Sequence, residues 1–113
     1  MNALNADLHC HSTASDGTLA PAEVVRRAKV NGVELLALTD HDELLGLGEA
    51  VAAADEVGLR FVPGVEISVS WLDQTVHMVG LGIDRTNPAL VAGLAQVRSG
   101  RDGRAARIAA ELE

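Results

Sequence analysis

The sequence predicts an α/β fold built on a mainly parallel sheet. Three observations predict it. Helix-like and strand-like segments alternate along the 113 residues, and the apolar 48% is almost all Ala, Val, Leu and Ile, with only 2% aromatic. Leu35-Leu36-Ala37-Leu38-Thr39 is a continuous apolar run, the pattern of a strand covered on both faces. Strands alternating with helices imply parallel pairing through right-handed crossovers.

Each element follows from its own residues. Ala6 to Cys10 is a short apolar start that reads as a strand. Ser12 to Thr18 is rich in Ser, Thr, Asp and Gly and reads as a loop. Pro21 suits the first turn of a helix, with Glu23 close behind, Val24, Val25 and Ala28 at helical spacing, and Gly32 as a stop. The apolar run 35–39 is the second strand. A second helix is expected from about Leu44 to Val57, stopped by Gly58, with Gly46 and Gly48 weakening its first turn. Arg60 to Val65 reads as the third strand and Thr75 to Ile83 as the fourth. Too few residues join these two for a helical crossover, so either Asp73-Gln74 turns or the segment returns as an extended loop. Asn87-Pro88 opens a last helix with a cap and a proline at the first position. Gly100 and Gly103 are expected to weaken or break it. Beyond them Ala105, Ile108, Ala109 and Leu112 mark one apolar face.

Charge narrows the function. A net charge of −7 and a pI near 4.9 exclude a basic surface that tracks nucleic-acid phosphates. Phosphate can still be held locally where metal ions supply the positive charge. One cysteine permits no intrachain disulfide. There is no signal peptide, lipidation motif or long apolar run, so a cytoplasmic protein without a membrane partner is expected.

The candidate chemistry lies where apolar segments stop. His9 and His11 are two apart, so on a strand they share a face and converge on one ion. The alternative is two hydrogen-bonded histidines. Cys10 between them points away and suits a small buried filler. Asp16-Gly17 is a turn that also leaves the segment bearing the histidines. Thr39-Asp40-His41-Asp42 ends the apolar strand abruptly. Asp40 or Asp42 would serve as a helix cap on a purely structural reading, whereas His41 with Asp42 beside it suits an oriented metal ligand. Glu66 ends the third strand. His77, flanked by apolar residues, reads alone as a core histidine, but in a simple hairpin register it shares a sheet face with Glu66. His9, His11, Asp16, His41, Glu66 and His77 exceed what one tetrahedral zinc requires, which points to more than one metal. Imidazoles with carboxylates suit manganese, zinc or iron. Trp71 suits packing better than stacking on a base. Arg98, Arg101, Arg104 and Arg107 recur every third residue, either as a solvated helix face or as a phosphate-contacting stripe.

Asp7-Leu8-His9-Cys10-His11-Ser12, Ser15-Asp16-Gly17, Thr39-Asp40-His41-Asp42, Gly64-Val65-Glu66 and His77 resemble, in order, the motifs of the PHP (polymerase and histidinol phosphatase) superfamily. Val65-Glu66-Ile67-Ser68 and His77 through Asp84 look most like its TrpH-type branch of 3′,5′-nucleoside bisphosphate phosphatases and a 5′→3′ exoribonuclease acting on short RNA. The resemblance implies a distorted (β/α)7 barrel with two to three divalent ions, Mn2+ or alternatively Zn2+ or Fe2+. It implies His9, His11, Asp16, His41, Glu66 and His77 as ligands, with His41 and Asp42 in the catalytic constellation. The expected partner is a small phosphorylated substrate, a nucleoside bisphosphate or short oligonucleotide end, and not duplex nucleic acid. The family pattern needs further ligands, a histidine and a late Asp-x-His pair, and a βα barrel takes about 250 residues. Residues 1–113 are therefore expected to be the N-terminal portion of a single PHP domain. Histidinol phosphatase chemistry and a non-catalytic metal-binding PHP module are the alternatives the same motifs allow.

Overall fold

The computed structural model describes residues 4–111, with Trp71 and residues 101–111 described by backbone alone. The elements follow as β1 (Ala6–Asp7), α1 (Pro21–Val30), β2 (Leu35–Leu38), α2 (Leu47–Val57), β3 (Arg60–Trp71), β4 (Gln74–Leu81) and α3 (Pro88–Glu111). The strands lie in the order β1-β2-β3-β4. The first three are parallel, and β4 returns antiparallel along β3. The expected α/β class and the break from parallel pairing at the fourth strand are both present.

Local chemistry explains the helices. Pro21 opens α1, and the Ala22 N–H that no intrahelical carbonyl can serve donates to Glu49 Oε2 of α2 at 2.9 Å. Glu49 thus ties the starts of the two helices together. Gly58 ends α2 in the left-handed region at φ 70°, where a side chain is strained. Asn87 caps α3 by accepting the N–H groups of Ala89 and Leu90 at 2.9 and 3.1 Å.

The core lies between these helices and the sheet. Leu36 and Leu38, two apart and so on one face of β2, pack with Val25 of α1 and with Leu47, Ala50, Ala53 and Ala54 of α2. Ala37 points the other way and is also fully buried, so β2 is covered on both sides. Each of these leucines contributes roughly 1.5–3 kcal/mol by leaving water.

Several boundaries differ from the sequence reading. β1 is only two residues long, so His9 and His11 lie past its end rather than on it. α2 starts at Leu47, not Leu44, with Gly46 before it and no side-chain cap. Neither Asp40 nor Asp42 caps a helix. β3 runs to Trp71, because antiparallel pairing with β4 carries it six residues past Val65. The turn falls on Leu72-Asp73, both at positive φ, one residue earlier than Asp73-Gln74. This is a two-residue hairpin loop of the mirror-image type that matches strand twist. α3 is unbroken at Gly100 and Gly103. The apolar face proposed for Ala105 to Leu112 and the packing of Trp71 lie outside the described side chains.

Candidate metal centre

Register carries Glu66 to the centre of the site. β2 pairs with β3 as far as Leu38 opposite Pro63, and beyond that an isolated parallel bridge joins His41 to Glu66. The Glu66 N–H donates to Asp40 O at 3.0 Å, and the Asp42 N–H donates to Glu66 O at 2.9 Å. Glu66 is therefore inside β3, not at its end, yet level with the point where β2 stops. On the other side Glu66 pairs with Val79 and Ser68 with His77. The parity argument for Glu66 and His77 therefore holds: both face the same side.

Four imidazoles form a row over this carboxylate. Ring centroids are 5.2 Å apart for His9 and His11, 4.3 Å for His11 and His41, and 5.3 Å for His41 and His77. Glu66 Oε1 faces His9 Nε2 and, at 3.2 Å, His11 Nε2. Its Oε2 lies 3.0 Å from His41 Nδ1 and 3.6 Å from His77 Nδ1. Asp16 bridges the two inner rings, with Oδ1 2.8 Å from His11 Nδ1 and Oδ2 3.2 Å from His41 Nε2. The Glu66 side chain is 6% exposed while His9 and His77 are 58% and 50% exposed, so the cluster opens to solvent at both ends. His77 is thus no core histidine.

The donor set fits divalent cations. Three groups, His9/His11/Glu66, His11/Asp16/His41 and His41/Glu66/His77, each bring ligand atoms within 4.8 Å of one another. In octahedral coordination, ligands bonded at about 2.1 Å and at right angles stand about 3 Å apart, a spacing compatible with the contacts of His11 and His41. Both nitrogens of His11 and of His41 face carboxylate oxygens. A neutral imidazole offers one N–H and one lone pair, so on each ring one nitrogen can donate to a carboxylate while the other has the lone pair a cation would take. Burial pushes the carboxyls of Asp16 and Glu66 upward, but the histidines outweigh it. The charges of His11 and His41 act on Asp16, and hydrogen bonding from His9, then the charge of His41, acts on Glu66, so both stay below their ordinary values.

A buried network, missed in the sequence, holds the loop that carries Asp16. Asp40, 2% exposed, accepts the Ser12 N–H at 2.6 Å, the Ser12 hydroxyl at 2.7 Å and the Ser15 hydroxyl at 2.7 Å. Gly17 folds back so closely that a Cβ there would stand 2.4 Å from His11 O. The sequence offers only two serines ahead of Asp16 and an aspartate beside His41, which give no pairing signal by themselves. Asp42, fully buried at φ 52°, accepts the Ser68 N–H at 2.7 Å and so fixes β3 two residues beyond Glu66.

Side-chain nucleophiles fit poorly. Ser12 and Ser15 are committed to Asp40. Burial first, then Asp7 and Asp40, push the Cys10 thiol up to about 12, and its Sγ donates to Ala37 O at 3.2 Å. Ser68 Oγ lies 3.3 Å from His77 Nδ1, and Glu66 is near that same nitrogen. A Ser–His–carboxylate relay needs one ring nitrogen for each partner, so this trio cannot work as one.

A mainly parallel α/β sheet that gathers four imidazoles and two carboxylates level with the end of β2 defines an α/β protein with a candidate metal-binding cluster. The chain belongs to the PHP domain family, whose profile matches residues 7–102. It is 57% identical over 109 residues to a 3′,5′-nucleoside bisphosphate phosphatase of Chromobacterium violaceum, covering 96% of this chain and 38% of that protein. It is 50% identical over 107 residues to a 5′-3′ exoribonuclease of Haemophilus influenzae, covering 95% and 39%. A solved structure from Bifidobacterium adolescentis, assigned as a metal-dependent phosphoesterase, superposes with a TM-score of 0.86 at 35% identity, covering 98% of this chain and 39% of that one. The chain thus spans less than two fifths of the length of these relatives.

Proposed function

We propose that the whole protein is a metal-dependent phosphoesterase that removes phosphate from nucleotides, with 3′,5′-nucleoside bisphosphates as substrate and short RNA ends as a related one. The observation that carries the reading is Glu66 meeting all four histidines while Asp16 bridges His11 and His41. Residues 1–113 are read as the first portion of a distorted (β/α)7 PHP barrel, and the identity to the Chromobacterium phosphatase supports the substrate class.

His9, His11, Asp16, His41, Glu66 and His77 would hold two to three divalent ions, manganese first, with zinc or iron as alternatives for this mixed nitrogen and oxygen set. When bound, such ions supply a nucleophilic water at neutral pH and positive charge opposite phosphate oxygens. The chain's own residues set the stage. His41 sits at the middle of the row and presents one nitrogen to each carboxylate. Glu66, anchored by main-chain bonds to the Asp40-His41-Asp42 segment, divides its two oxygens between the ends of the row. Asp42 acts by position, holding Ser68 and hence the Glu66 strand at fixed height. Asp40 holds the Ser12–Ser15 loop so that Asp16 stays over His11 and His41. Among the described residues, no serine or cysteine around the rings is set up to attack phosphorus, which agrees with water as the nucleophile.

The test is phosphate release from adenosine 3′,5′-bisphosphate by the intact protein loaded with manganese, with histidinol phosphate as the competing substrate. Release from the bisphosphate is expected. No release with metal confirmed bound rejects this substrate, and preference for histidinol phosphate supports the other phosphatase reading.

A further inference from the structure

We propose that Arg98 is a specificity-determining residue that pairs with a second, non-reacting phosphate of the substrate. This rests on the phosphoesterase reading above and deepens it. Arg98 is the first of the arginines that recur at every third position; the side chains of Arg101, Arg104 and Arg107 lie outside those described, and that of Arg98 is partly buried. From α3 its guanidinium reaches back to the loop after β2. Nη1 donates to Asp42 O at 2.5 Å, and Nε lies 3.6 Å from Glu43 Oε2. Leu94, one turn earlier on the same helix face, is 2% exposed and anchors that side of α3. A guanidinium carries five N–H donors in a planar fork. These two contacts fix its plane without exhausting that capacity.

Arg98 stands between two cavities. One, of about 390 Å³, is lined by Arg98 together with Asp16, His41, Ser15 and Glu43, so it adjoins the candidate metal ligands, and Arg98 is its only permanently cationic wall residue among those described. The other, of about 330 Å³, is lined by Arg98, Arg85 and Glu43 with the apolar side chains of Leu45, Val91 and Leu94. Arg85 Nη1 lies 3.5 Å from where a Cβ on Gly48 would stand, so the missing side chain leaves it room. An apolar wall with two guanidiniums suits a nucleoside bearing a phosphate: aliphatic carbon for the base and sugar, a planar fork for the anion. In a chain of net charge −7, a second phosphate beside Asp16 and Glu43 needs such a cation. A substrate with one phosphate would place it at the candidate metal ligands and leave Arg98 with only its protein partners, Asp42 O and Glu43.

The test compares adenosine 3′,5′-bisphosphate with adenosine 3′-monophosphate on the whole manganese-loaded protein, in wild type, Arg98→Ala, Arg98→Lys and Arg85→Ala. The Kd for the bisphosphate is measured by calorimetry alongside. In Arg98→Ala the ratio of kcat/KM for bisphosphate over monophosphate should fall by about ten- to a hundredfold, the worth of a charge-assisted hydrogen bond. The loss should lie in KM, with Kd weakened to match. Arg98→Lys should recover part of it, since charge remains without the fork. If Arg98→Ala does not fold, Arg98→Lys and Arg85→Ala carry the test with smaller falls in the same direction. Equal losses on both substrates, or a loss confined to kcat, would overturn the proposal. Hydrolysis with an unchanged ratio rejects Arg98 and keeps the phosphoesterase. Binding that weakens in Arg98→Ala without any hydrolysis by wild type does the reverse. A wild type that neither binds nor hydrolyses the bisphosphate rejects both.

Discussion

Asp40 closes on Ser12 from two directions: Oδ1 accepts its N–H at 2.6 Å and Oδ2 accepts its hydroxyl at 2.7 Å. Ser12 is 0% exposed, so no water can take over either bond. Replacing Asp40 by Ala strands these donors and releases the loop that carries Asp16. A loss of about 2–4 kcal/mol in stability is expected, read from the urea midpoint at constant m-value. A change within 0.5 kcal/mol would contradict the role given to this carboxylate.

Glu66→Gln keeps shape and removes charge at the carboxylate that meets all four imidazoles. Manganese affinity should fall by about a hundredfold or more, the upper end of what outer partners of ligands cost. Metal content after dialysis against limiting manganese checks this. Retention of the full complement would mean that Glu66 is not a ligand.

The metal-free protein should lose stability as pH falls through the carboxylate range. Glu66 is held below its ordinary 4.5 in the folded state. A depressed folded pKa stabilises the native state above the unfolded value, and that contribution disappears as pH drops through the folded value. The urea midpoint should therefore decline from about pH 4.5 downward, the ordinary glutamate range, and Glu66→Gln should flatten the decline. A variant with the same acid slope as wild type would show that Glu66 does not contribute to it.

Cys10 should resist alkylation in the native state. Its thiol, pushed up to about 12 from 9.0, stays protonated at pH 8, and the thiolate is the reactive form. Because the folded value lies above the unfolded one, its contribution is complete below pH 9 and is lost as pH rises toward 12. Iodoacetamide at pH 8 should label the urea-unfolded chain and leave the folded chain unmodified over the same interval. Equal labelling of both would contradict the buried setting.

Element order, the doubly covered β2 and the switch to antiparallel pairing were legible because they follow from periodicity and linker length. His9 and His11 were legible as an i, i+2 pair, and His41 and Glu66 as polar residues ending apolar strands, whereas Asp16 read alone as a turn and His77 as a core histidine until the family resemblance marked them; the structure brings all six together. What escaped depends on long-range pairing. The extension of β3 to Trp71 is set by its partner β4, not by its own composition. Leu72 at positive φ gives no turn signal, since that position favours Asn or Gly. His9 and His11 converge without the strand geometry invoked for them, because β1 ends at Asp7. The bonds from Ser12 and Ser15 to Asp40 were hidden because a Ser-rich stretch reads as solvated loop unless its partner is known. Arg98 reads as surface from its three-residue spacing and turns inward only because Leu94 seats the helix.

The four rings and two carboxylates come from segments as far apart as residues 9 and 77, joined by parallel and antiparallel strand pairing that closes only in the native topology. An unfolded chain therefore has no equivalent binding constellation. By mass action, any cation the cluster holds adds its occupancy to the folding equilibrium: at a hundredfold excess over its Kd, about 2.7 kcal/mol per site. The melting temperature of the protein should thus report free cation concentration, and a chelator should act on it as a denaturant.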